Sequence, residues 1–108
     1  IGMRRDATFG PMLMFGGGGV YVEALRDVAF RIAPITEKSA QAMIAETVAG
    51  RLLIMGGRGR RPGDVDALMR LLLQVSELAV ALPELAEFEL NPVIVHPAGQ
   101  GATVVDAR

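Results

Sequence analysis

A chain of 108 residues has room for one domain, and 51% hydrophobic with 21% charged residues places it among globular proteins with a modest core. A formal net charge of −1 gives no bulk attraction for nucleic acid or an anionic membrane, and the absence of cysteine excludes a disulfide framework and thiol chemistry. No apolar run approaches the ~18 residues of a membrane span and no signal peptide is visible, so the expected setting is the cytoplasm.

Six methionines, one tyrosine and no tryptophan predict an adaptable aliphatic interior. Ile1-Gly2-Met3 reads as the tail of a strand already under way, the expectation for a piece of a longer polypeptide. Pro11 to Phe15 is an apolar run bounded by proline and glycines, long enough for a buried strand and too short for a helix. Gly16 to Gly19 can bring backbone N–H groups close to a ligand because no Cβ intervenes, or can simply close a hairpin. The run matches neither the lysine-containing phosphate loop nor a dinucleotide fingerprint. Val20 to Leu25 and Val28 to Ala33 are β-branched and aromatic segments, read as two strands or one bent strand that Pro34 stops. Glu23, within the first, is either a second catalytic carboxylate or an exposed strand residue.

Thr36 is a suitable N-cap for a helix in which Ala40, Met43, Ile44 and Val48 share one face, with Gly50 as its stop. Arg51 to Met55 then reads as a strand or buried connection. Gly56 to Gly63 holds Arg58, Arg60 and Arg61 without an acid. Guanidinium forks on a glycine-bearing loop suit phosphate, and a solvated loop is the plain alternative. Nucleic-acid binding is disfavoured because no aromatic stacking residue is interleaved. Asp64 caps a second helix whose stripe is Val65, Leu68, Met69, Leu72, Val75, Leu78, Ala79 and Leu82, ending near Pro83. The resulting class is α+β, a mainly antiparallel sheet with two helices on one face, which leaves the opposite face free for a ligand or partner.

In Glu87-Phe88-Glu89-Leu90-Asn91-Pro92, strand alternation puts Glu87, Glu89 and Asn91 on one face and the apolar residues on the other. Val93 to His96 continues as extended chain, Pro97 to Gln100 reads as a turn, and Gly101 to Asp106 runs back. A turn confined to those residues opposes His96 to Gly101 and Asn91 to Asp106. Opposed side chains lie roughly 4.5 to 5.5 Å apart at Cβ, so Asn91, Asp106 and Glu89 together make an oxygen site for a hard cation such as Mg²⁺. Alternating acids are also the ordinary solvated face of an edge strand. Pro92 has no N–H to donate, which requires an edge position or a bulge that would change the partner of Asp106. His96 has the opposite parity and is read as a surface turn residue.

Glu89-Leu90-Asn91-Pro92-Val93 followed by Val105-Asp106-Ala107-Arg108 resembles the end of the ATP-grasp domain in nucleoside-diphosphate-forming acyl-CoA synthetases and the β subunit of succinyl-CoA synthetase. Arg5-Asp6-Ala7-Thr8-Phe9-Gly10-Pro11, Phe15 to Gly19, Val22 to Arg31 and Arg58 to Pro62 are similar to the same family, in the same order. Gly17 stands where a larger apolar residue is usual. The resemblance implies that residues 1–108 are the C-terminal portion of an ATP-grasp domain. It assigns Asn91 and Asp106 to Mg²⁺ and Glu89 to the phosphate or phosphohistidine end of the site, and sets the glycine turn with Gly17 and Gly18 near it; Arg58, whose partner the resemblance does not fix, is placed on the phosphate side of ATP or ADP by its guanidinium chemistry. It also implies two partners: the N-terminal half of the ATP-grasp domain, and a CoA-ligase domain or subunit that supplies the phosphohistidine. Relatives of this segment occur fused to lysine acetyltransferases, where the implied role is regulatory, and a purely structural interaction module is the third reading.

Overall fold

The computed structural model describes residues 1–17 and 27–108. Its main sheet contains β1 (Gly2–Asp6), β2 (Gly10–Gly16), β3 (Val28–Ile32) and β4 (Glu87–Glu89), ordered β3-β2-β1-β4 with every pairing antiparallel. The β1–β2 turn is built by Asp6, whose Oδ1 accepts the backbone N–H groups of Thr8 and Phe9, both at 2.8 Å, while Gly10 takes φ +83°. Those two bonds hold the Asp6 carboxyl below its usual range. Glu23, Gly18 and the strand expected over residues 20–25 lie outside the described residues.

Alternation divides the sheet into a greasy face and an open face. Met3, Leu13, Phe15 and Ala29 are buried, with Phe88 packed against them. The registers Gly2↔Met14, Met14↔Phe30 and Gly2↔Glu89 put Met14, Phe30, Gly2 and Glu89 together on the other face. Helices α1 (Glu37–Glu46) and α3 (Val65–Ala81) cover the first face, burying Ala40, Met43 and Ile44 from α1 and Leu68, Leu72, Val75, Ser76 and Ala79 from α3. The α+β class is therefore as expected, while Asn91 and Asp106, expected on the opposite face of the same sheet, lie outside the main sheet.

The helix count differs, because Arg51 to Met55 belongs to a third helix, α2 (Val48–Met55), and is not a strand. Thr47 separates α1 from α2 and serves both. Its hydroxyl donates to Ile44 O at 3.0 Å and accepts from Gly50 N at 2.9 Å. Gly50 therefore does not stop α1. It sits buried in the first turn of α2, where a Cβ would collide with the Ile44 carbonyl. From the strand side, Asp27 accepts Val48 N at 2.8 Å and Ala49 N at 3.0 Å, satisfying two more orphan donors of α2. Val48, expected on the buried face of α1, is instead 52% exposed. On α3, Leu78 is also exposed, and Ser76 takes an inward position, accepting Ile35 N at 3.0 Å.

Arg5 ties the end of α3 to β1. Its side chain donates to Ala79 O at 2.8 Å, Leu82 O at 3.0 Å and Leu85 O at 3.0 Å, and its backbone N–H to Ala86 O at 2.9 Å. After β4 the chain passes Pro92, whose preceding peptide is cis, and forms a separate ribbon of β5 (Val93–Val95) and β6 (Ala102–Val104). No helix among the described residues is long and apolar enough to cross a membrane.

Candidate functional site

The ribbon keeps one register throughout its length. Val93↔Val104, Ile94↔Thr103 and Val95↔Ala102 pair within it, His96 N donates to Gly101 O at 3.0 Å, and Leu90 bridges Ala107. Asn91 N donates to Asp106 O at 3.1 Å, so Asn91 faces Asp106 as the four-residue turn requires. Pro92 introduces no bulge. Lacking an N–H, it accepts through its carbonyl from Val105 N at 3.0 Å. Below it Glu89 and Arg108 exchange backbone bonds of 2.8 and 2.9 Å.

Asp64 fixes the far end of the ribbon. Its Oδ1 caps α3 through Ala67 N at 3.0 Å and its Oδ2 accepts Gly101 N at 2.8 Å, while its own N–H donates to His96 O at 2.8 Å. The bonds from Ala67 and Gly101 hold the Asp64 carboxyl below its usual range. His96 turns away from Asn91 and hydrogen-bonds Thr103 Oγ1 through Nε2 at 2.7 Å, in keeping with its parity.

Glu89 and Asn91 are exposed and line the rim of a cavity of about 660 Å³. Its walls are mainly apolar: Met14, Phe15 and Phe30 come from the sheet, Leu52 and Leu53 from α2, and Val93 and Val95 from the ribbon. Met14, Phe30 and Leu52 carry no polar signature, and only the pairing of distant strands and the turn of α2 brings them together. Gly17 also lines the cavity, and a Cβ there would meet the Ala49 Cβ at 3.3 Å. Asp106 stands across the ribbon from Asn91 and does not line the cavity wall. Arg58 lies apart: with Arg60 and Arg61 it borders a neighbouring cleft that shares Leu52, Leu53 and Val95 with the cavity. The structure thus brings Glu89, Asn91 and Gly17 to one cavity, sets Asp106 opposite Asn91 on the ribbon, and leaves Arg58 in the adjoining cleft.

The donor atoms suit a hard cation. Asn91 Nδ2 donates to Glu89 Oε1 at 3.1 Å, which turns the amide so that Oδ1 is its available end. The Asp106 carboxylate and the Asn91 amide oxygen fall short of a protein-only cage, so a Mg²⁺ held there would have to share its coordination with phosphate and water. A mainly apolar chamber with a few polar groups at one rim is the usual form of a site for a flat organic ligand with a charged tail.

An ATP-grasp domain model matches residues 1–108. The chain is 55% identical over 108 residues to acetate–CoA ligase (ADP-forming) I of Archaeoglobus fulgidus, covering all of this chain and 15% of that protein. It is 50% identical over 109 residues to the β subunit of acetate–CoA ligase (ADP-forming) II of Pyrococcus furiosus, covering 46% of that subunit. Among solved structures, acetyl-coenzyme A synthetase 1 of Ca. Korarchaeum cryptofilum superposes with a TM-score of 0.91 at 48% identity, over 99% of this chain and 49% of that one. That structure holds coenzyme A and Mg-AMPPCP, with its phosphohistidine segment pointing towards the nucleotide-binding site. The chain spans less than half the length of these two ligases and about half of the solved chain. With the whole sequence matched, the fold shared and the identity high, the chain belongs to the ATP-grasp domain family.

Proposed function

We propose that the chain is the nucleotide- and magnesium-binding portion of an ADP-forming acyl-CoA synthetase. The observation that supports this reading is the ribbon register, which opposes Asn91 to Asp106 beside the Glu89 and Asn91 rim of an apolar cavity. The overall reaction converts acyl-CoA, ADP and phosphate into acid, ATP and CoA. In the step at this site the phosphoryl P–N bond to an incoming histidine breaks and a P–O bond to the ADP β-phosphate forms.

The cavity walls take the adenosine, and Asn91 Oδ1 with the Asp106 carboxylate hold the cation. Bound Mg²⁺ supplies charge neutralisation across the transferring phosphates. Glu89 accepts a hydrogen bond from the incoming imidazole and orients it. Gly17 lets the chain lie close to the phosphate end, whereas Arg58 serves the phosphates only from the adjoining cleft. The histidine comes from a CoA-ligase domain or subunit, and the remaining nucleotide contacts from the N-terminal half of the ATP-grasp domain. On this reading the protein works in the cytoplasm.

The test is Asp106→Ala in the full-length protein, with ATP formation from acyl-CoA, ADP and phosphate as the readout. Activity falls by roughly two orders of magnitude or more while the melting temperature is kept. Unchanged turnover removes Asp106 from the mechanism. A full-length protein that turns nothing over with either residue returns the site to a regulatory or structural role.

A further inference from the structure

Arg108 stands in the proposed cation site without an assigned role. The register opposes Glu89 to Arg108 and Asn91 to Asp106, so these four residues form a two-by-two plate at the base of the ribbon. Neighbours along each strand are bonded: Asn91 Nδ2 to Glu89 Oε1 at 3.1 Å, and Arg108 Nε to Asp106 Oδ2 at 3.2 Å. The backbone of Arg108 is fixed by its two bonds with Glu89, so pairing of the chain itself delivers the guanidinium.

Only Nε is engaged. Among the described residues both terminal nitrogens of Arg108 are without a partner, which leaves a planar fork of donors free. The Arg108 side chain is 83% exposed and that of Asp106 49%, so the pair is held weakly and exchanges readily. A cation-free plate with two carboxylates needs a compensating charge, and this guanidinium is already on one of them. If a divalent cation took that carboxylate, the released fork would stand next to it, where its planar donors suit phosphate oxygens.

We propose that Arg108 neutralises Asp106 while no cation is bound and turns to the nucleotide's phosphate oxygens once a divalent cation occupies Asp106. This rests on reading Asn91 and Asp106 as the cation ligands.

Calorimetry on the full-length protein tests it with two probes, Mn²⁺ alone and Mg-ADP. Arg108→Gln removes a competitor for the metal and a donor for the phosphate. It binds Mn²⁺ alone roughly two- to fivefold tighter, and Mg-ADP about tenfold weaker. Arg108→Lys keeps the charge without the fork, so its Mn²⁺ affinity is native and its Mg-ADP affinity intermediate. The opposite signs for Arg108→Gln separate this role from strand support, which would weaken both or move neither. Changes of the same sign, or an unchanged Mg-ADP affinity, overturn the proposal. Asp106→Asn serves as the control. If it loses Mn²⁺ while Arg108→Gln moves nothing, the proposal fails alone. If Asp106→Asn binds Mn²⁺ as the native protein does, the ligand assignment fails and the proposal with it.

Discussion

Replacing Arg5 with Met keeps most of the aliphatic stem and removes the fork that binds Ala79, Leu82 and Leu85. Ala79 O belongs to the last turn of α3, where carbonyls have no intrahelical partner, and a cation there also faces the negative end of the helix dipole. Each bond contributes about 0.5–1.5 kcal/mol net. Leu82 is 38% exposed and water can replace part of its bond, so the three together stabilise this region by about 2–3 kcal/mol. Hydrogen exchange measured by mass spectrometry in the full-length protein reads this locally. The amides of Leu82 and Leu85, which donate to Leu78 and Leu82, should exchange roughly 30- to 150-fold faster in Arg5→Met. Arg5→Lys restores at most about one bond, because one ammonium cannot span three carbonyls in a fixed plane. An acceleration under about threefold in Arg5→Met, or native protection in Arg5→Lys, would refute the reasoning.

Asp64→Asn separates two duties of one side chain. Asn is as good an N-cap as Asp, so α3 keeps its protection, while an amide nitrogen set against Gly101 N–H cannot accept, and the amides of β5 and β6 exchange faster; Asp64→Ala loses both. Because the Asp64 and Asp6 carboxyls titrate below their ordinary values in the fold, their stabilisation is complete above the unfolded carboxylate pKa of about 3.9 and fades as pH falls through the folded values. Melting curves between pH 6 and pH 2 should show a shallower acid limb in Asp64→Asn. Gly50→Ala drives a Cβ into the Ile44 carbonyl at the α1–α2 junction and should cost about 3 kcal/mol in urea unfolding; a loss below about 1 kcal/mol would show that the junction relaxes.

The ribbon was legible because its information is local. A turn confined to Pro97 through Gln100, with alternation on either side, already opposes Asn91 to Asp106, and Pro92 accommodates the ladder through its carbonyl instead of a bulge. The helix stripes were legible where burial follows a regular period, and failed at Val48, Leu78 and Leu82, which are exposed. Helix α2 was not legible. An apolar run behind a glycine resembles a strand, and what starts the helix is Asp27, remote in the chain, together with a threonine that works in both directions. Arg5 hides for the same reason, since its partners are carbonyls that carry no residue identity. The cavity could not be read from any one segment, being assembled from Met14, Phe30 and Leu52 by long-range pairing.

In the sheet, β1 lies between β2 and β4, so it is an interior strand whose second neighbour, β4, comes far along the chain. During translation at roughly 5–20 residues per second, β1 waits for seconds with one side bare before Glu87 to Glu89 leave the ribosome. Proteolysis or premature termination behind α3 would therefore spare much of the greasy interior and remove every oxygen of the plate. A product cut there would keep β1 with one edge bare, and a bare strand edge is open to pairing with another chain.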